Sequence, residues 1–250
     1  MLHLSKGNGK LSGDTLIFSL PAGKTCPGAD QCKSMAMLDA TTGKRYIQDG
    51  PNTLFRCFAA SGEVQYDAPF NNRADNYYQI QTALVQGLQS CVELINSSIQ
   101  KNRTKNTKKV RIHESGDFFS GVYLDAWIQV ALLNPDLKFY CYSKSLQLFY
   151  CLPLPSNFYF TASYGGKWDK MIDDGIFPRY SKVVMFEEDA DALGLEVDHD
   201  DSHCFGDKPF ALLVHNTQPK GSEWGKAIRL RRSKGQFGGY NKKTRDLVTA

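Results

Sequence analysis

The sequence has no apolar run approaching the roughly 18 residues that a membrane-spanning helix needs. Its first residues, MLHLSKG, also lack the long apolar stretch of a secretory signal. These two absences predict a soluble protein of the cytoplasm. No phosphate-binding Gly-x4-Gly-Lys loop, no His-Glu-x2-His pair and no Ser/His/Asp ordering is present, which leaves nucleoside triphosphatase and hydrolase chemistry without support. There is no internal repeat, no low-complexity segment and no tight C-x2-C pair of the kind that favours zinc. Acid is scarce where base is dense: Lys101 to Arg111 carries six basic residues and no carboxylate, and Arg229 to Lys243 is similarly basic. With a net charge of only +4 and an acidic stretch from Glu187 to Asp207, such runs read first as solvated loops or a tail. Phe237 and Tyr240 among the late cations are compatible with stacking on single-stranded nucleic acid.

What is present fits one α/β domain. At 250 residues and 42% hydrophobic content the chain can bury one large core. Thr15 to Leu20 reads as a strand that stops at Pro21. From Ala74 to about Asn102, apolar residues recur near every 3.6 positions (Tyr77, Ile80, Leu84, Leu88, Cys91, Ile95, Ile99), which predicts a long amphipathic helix. Strands at Val110–His113, Leu137–Tyr142, Phe158–Ala162, Lys182–Phe186 and Phe210–Val214 then alternate with helices near Gly121–Leu133, Ser145–Tyr150, Lys167–Asp174 and Asp189–Leu193. This alternation predicts a parallel sheet, closed or partly closed as a TIM-like (β/α) barrel over residues 1–226, followed by a basic tail at 227–250. In such a fold, polar groups at strand C-terminal ends share one face. Those groups are His113 to Asp117, Ser143-Lys144, Ser163-Tyr164, Glu187-Glu188 and His215-Asn216, together with the loop that bears the first cysteines.

Seven cysteines, odd in number and uneven in spacing, argue against a disulfide framework and leave metal binding or buried thiols. Cys26 and Cys32 flank a Gly/Pro loop (TCPGADQC), Cys57 follows in FRCFAA, and Cys204 is the late cysteine on a polar loop (DSHCFGD). Thiolates converging from loops suit an iron–sulfur cluster or zinc. All four would close a [4Fe–4S] cluster, whereas three would leave one iron open to His203, water or a small molecule. Cys91, Cys141 and Cys151 lie in apolar or aromatic runs and read as packed thiols. His199, Asp200, Asp201 and His203 are adequate donors for a divalent metal, but read more simply as a solvated acidic loop.

With TCPGADQC, RCFAASGEV, RIHESGDFFS and FYCYSKS in view, the chain resembles the phage family called gene product 88 over roughly Ser19 to Lys144. The resemblance implies a phage-encoded protein acting in the host cytoplasm, with a barrel like that of radical S-adenosylmethionine enzymes and an iron–sulfur cluster on the loop after the first strand. It carries Cys26, Cys32 and Cys57 over as cluster ligands and puts Glu114, Gly116 and Asp117 in the family's Gly-Asp stretch. The C-x3-C-x2-C spacing of ordinary radical enzymes and a Gly-Gly-Glu stretch for the methionyl amine are absent, so S-adenosylmethionine as a cofactor stays open. Glu114, Asp117 and Lys144 are the candidates for catalytic or substrate-binding work at the barrel mouth. Asp117 is equally suited to the start of a helix, with Ser120 as a further capping candidate, and Lys144 to a solvent-reaching role. Two functions follow: redox or radical-type chemistry on a small-molecule substrate, or a non-enzymatic protein in which a metal staples loops and basic segments engage nucleic acid or a host partner.

Overall fold

A computed structural model describes residues 1–235. The elements in chain order are β1 (Leu4–Lys6), β2 (Thr15–Phe18), the hairpin β3 (Ser34–Leu38) and β4 (Arg45–Asp49), and the helices α1 (Phe58–Gln65), α2 (Asp67–Gln86) and α3 (Leu88–Asn102). Next come β5 (Lys109–Ile112), α4 (Gly121–Leu132), β6 (Lys138–Ser143), β7 (Phe158–Ser163), α5 (Lys170–Asp173) and β8 (Tyr180–Val184). The described chain closes with α6 (Glu187–Ala192), β9 (Glu196–Val197), β10 (Phe210–Leu213) and α7 (Glu223–Ser233). Residues 236–250, which hold Phe237, Tyr240 and the late cations up to Lys243, lie outside the described residues.

Eight strands form one mostly parallel sheet in the order β1-β2-β5-β6-β7-β8-β10-β9, with β1 antiparallel at one edge. From β2 to β8 each new parallel strand joins beside the one before it, and β10 then pairs with β8, leaving the two-residue β9 outside it at the sheet edge. Right-handed crossovers that advance in one direction, as those from β2 to β8 do, put their helices on the same face. That face carries Leu16, Phe18, Val110, Ile112, Phe139 and Cys141, packed under α3 and α4 through Cys91, Ile95, Ile99, Trp127 and Val130. Side chains alternate along a strand, so Arg111, Tyr140, Tyr142 and Thr161 face the other way. There the turn at Ser202–Phe205 packs Phe205 against Tyr140 and Tyr159, at ring separations of 5.2 and 5.0 Å.

The long helix expected from Ala74 to Asn102 is two helices. Gly87, with φ +120°, ends α2 and starts α3, and the apolar period carries across the break because both helices cover the same core. Helix α4 matches expectation, with Ser120 as the N-cap accepting from the Tyr123 N–H at 3.3 Å. Helix α7 runs across the expected boundary at 226/227. It buries Ile228 and Arg231, and Arg231 donates to the Val214 carbonyl at 2.8 Å. Among the described residues no helix is long and apolar enough to cross a membrane.

Candidate metal centre

The parallel strands all point their C-terminal ends at one edge of the sheet, and the loops leaving them interlock there. The cysteine loop after β2 lies across the loops that leave β6 and β7. Asp30 and Gln31 donate backbone N–H groups to the Gly165 carbonyl at 3.3 and 3.0 Å, and Lys167 donates to Gly28 at 2.9 Å. On its other side, Leu54 and Phe55 donate to the Gln31 carbonyl at 2.8 and 3.2 Å, which draws the segment bearing Cys57 against Cys32. Gln218 fixes the same segment, accepting from the Arg56 N–H at 2.7 Å.

This interlock brings Cys26, Cys32 and Cys57 within electrostatic reach of one another. Burial pushes the Cys26 thiol well above its ordinary range, and Asp117, Cys57 and Cys32 add to the effect. Burial likewise raises Cys32, with Lys144 pulling the other way. Cys57 is pushed up to about 12 by burial and by Cys32, partly offset by the Ala59 and Ala60 N–H groups at the start of α1. All three thiols are free and intermediate in exposure. Cys32 and Cys57 line a cavity of about 840 Å³ together with Glu114, Lys144, Arg111 and His215. Among the described residues no group of three or more His, Cys, Asp and Glu side chains stands arranged to hold a single metal ion.

Cys204, expected as a fourth ligand, is set elsewhere. Its buried thiol donates to the Asp201 carbonyl at 2.8 Å, and the charges acting on it are those of Asp201, Arg111, Asp198 and Arg179. Cys91 and Cys141 are fully buried core thiols, as expected. Cys151 is not packed: it is exposed, on a residue with φ +54°.

The polar strand ends meet at this edge but divide the work. Asp117 is buried and ties the loop after β5 to the end of β6, accepting from Ser143 Oγ at 2.6 Å and the Lys144 N–H at 2.9 Å. Burial raises its carboxyl, against those hydrogen bonds. Glu114 lines the cavity and pairs with Arg73 at 3.0 Å; Arg73 also holds the buried Glu63 at 2.9 Å. Lys144 does not reach out to solvent. Its Nζ is held inward by Ser163 Oγ at 2.6 Å and by the Tyr164 carbonyl. His113, with φ +60°, is buried and paired through Nε2 with the Tyr123 hydroxyl at 2.9 Å. Burial and the Arg111 charge lower it to about 3.

The expected solvated acidic loop holds for His199 and Asp200, which are exposed, but not for Asp201. Asp198 and Asp201 are buried, and Asp201 pairs with Lys10 at 2.6 Å and with Arg111. His203 is bound to Asp198 at 3.0 Å and Glu196 at 3.1 Å. Arg111, counted above in a solvated basic run, has a side chain only 12% exposed, because the inward period of β5 turns it onto Asp201. Lys10 and Arg73 join the site without any motif to announce them, and Glu63, though inside RCFAASGEV, is not among the residues singled out above. Only folding brings them near residues that are distant in the chain.

The model of the family described as Gene product 88 matches residues 2–236, well beyond the stretch that carries the cysteine and Gly-Asp motifs. The Gene 88 protein of Mycobacterium phage L5 is 27% identical over 150 residues, 57% of this chain and 53% of that relative. The chain thus spans about half the length of the curated relative it matches. No solved structure matches.

Proposed function

Since the chain belongs to the gene product 88 family of phage proteins, we propose that it is an iron–sulfur protein whose Cys26, Cys32 and Cys57 hold a [4Fe–4S] cluster at the C-terminal edge of a partial barrel. One observation carries this reading: three free thiols from two separate segments converge beside a cavity where thiolate charge is disfavoured by burial and by their mutual repulsion. A bound cationic metal centre reverses that balance, because coordination deprotonates a thiol outright. The parallel strands added in order from β2 to β8 support the partial barrel, in which chemistry belongs at the strand C-terminal ends. Cys204 is left out of the ligand set, so one iron keeps a position for water or a small molecule. The cluster supplies one-electron chemistry when bound. Around it, Lys144 and Asp117 position charge, and Glu114 holds the Arg73 cation at the cavity wall.

The test is iron, acid-labile sulfide and zinc content with an ultraviolet-visible spectrum, on protein purified without oxygen. About four irons and four sulfides per chain are expected. Zinc without sulfide, or no metal, overturns the reading. S-adenosylmethionine binding and reductive cleavage are then assayed on cluster-loaded protein, which separates radical-type chemistry from plain electron transfer.

A second reading, nucleic-acid engagement by a metal-stapled protein, draws on the exposed Lys226, Arg229 and Arg232 of α7 and Lys234 just past its end. It requires binding to a single-stranded oligonucleotide that weakens steeply with salt.

A further inference from the structure

The cavity beside the thiols has a charge pattern that metal binding alone does not account for. Its wall carries four cationic side chains, Lys10, Arg56, Arg111 and Lys144, against two carboxylates, Glu114 and Asp201. Arg56 is neutralised by a bidentate pair with Asp49 at 2.6 to 2.9 Å. Lys10 and Arg111 share Asp201, Lys10 also pairs with the buried Asp198 at 3.4 Å, and Glu114 is taken by Arg73. Lys144 is different. Both acceptors of its ammonium group, Ser163 Oγ and the Tyr164 carbonyl, are neutral, and among the described residues no carboxylate forms an ion pair with it.

An ammonium group has three N–H donors. Two are used here, which leaves one donor to spare on a residue that lines the cavity. Arg111, on the same wall, keeps its Nε–H buried and without a hydrogen-bond partner. Buried donors are rarely left unmade, since each costs about 1–3 kcal/mol. An ammonium group without an ion-paired carboxylate and a spare guanidinium N–H on the wall of one half-open cavity are complementary to an oxygen-rich anion, and charge–charge attraction at a partly buried site is stronger than in bulk water.

We infer that this cavity binds a small molecule carrying an oxyanion, a carboxylate or phosphate group, with Lys144 as its charge anchor and Arg111 as a second donor. The inference deepens the reading of the cavity as the functional site but does not need the cluster, since the anion is drawn by side chains already in place.

The test is isothermal titration calorimetry of the chain as purified, with metal content measured on the same sample. Succinate and inorganic phosphate serve as anionic probes and succinamide as the neutral counterpart of succinate. At least one anion is expected to bind at one site per chain, with succinamide at least about tenfold weaker, a difference of about 1.4 kcal/mol. Lys144→Met weakens the anion by a similar factor, Lys144→Arg restores most of it, and Lys170→Met, on the exposed α5 lysine, leaves it unchanged. Absence of anion binding to folded wild-type protein, succinamide binding as tightly as succinate, or an unaffected Lys144→Met protein each overturns the inference. Should Lys144→Met fail to fold, the comparison of succinate with succinamide on wild type decides alone. Anion binding by protein purified without oxygen and found metal-free would sink the cluster and leave this inference standing; a cluster-loaded protein indifferent to anions would do the reverse.

Discussion

Replacing Gly28 with alanine sets a methyl group 2.2 Å from the Lys144 carbonyl oxygen and 2.5 Å from its carbonyl carbon. Those atoms are backbone, so no rotamer change relieves the clash, and either the cysteine loop or the β6 loop must move. The Gly28 carbonyl is itself engaged, accepting from Lys167 at 2.9 Å, which resists a simple tilt. Overpacking of this kind costs about 1–3 kcal/mol, and the upper end applies where backbone meets backbone. For a chain of this size each kcal/mol lowers the melting temperature by about 2–4 °C, so a fall of about 6–12 °C is expected by circular dichroism. The loop displacement also separates Cys26 and Cys32 from Cys57, so iron content should fall with stability. Gly62→Ala is the control: it lies inside α1 with nothing within 4 Å of an added Cβ, and should stabilise by about 0.5–1 kcal/mol. A Gly28→Ala protein that melts like wild type and keeps its metal refutes the interlocked loops and the site built on them.

Asp201→Asn leaves Arg111 and Lys10 largely buried without their shared carboxylate, and a loss of about 3–5 kcal/mol is expected in urea unfolding. Acid should weaken the fold below pH 6.5. His113 and His215 have folded values lowered to about 3 and about 4, chiefly by burial. Between those values and 6.5 the unfolded chain therefore binds more protons, and stability drops as pH falls, by roughly 1.4 kcal/mol per pH unit for each histidine. His113→Gln should flatten part of that slope in unfolding measured at pH 7 and pH 5; an unchanged slope removes His113 from the account. Cys57→Ala should abolish metal binding while Cys204→Ala leaves metal content unchanged, and loss of metal from the Cys204 variant would restore that thiol as a ligand.

Much of this protein was legible from the chain alone. Alternating short β-rich runs and apolar-periodic helices determined a parallel α/β sheet, because side-chain burial on strands and helices imposes periods of 2 and 3.6 whatever the rest of the chain does. The cysteine motifs and the Gly-Asp stretch likewise carried the family. Gly87 was readable as a residue but not as a break, since the apolar stripe continues past it. The tertiary structure decided which polar residues are solvated and which are partners. Arg111 and Asp201 each sit in a charged stretch that reads as surface, and they neutralise one another only because β5 and the loop before β10 are packed face to face. The same holds for Cys204 and Lys144. Their types suggested a ligand and a solvent-reaching cation, yet where a thiol or an ammonium group ends up depends on which distant loops close around it. That is a property of contacts between segments far apart in the chain, on which local spacing is silent.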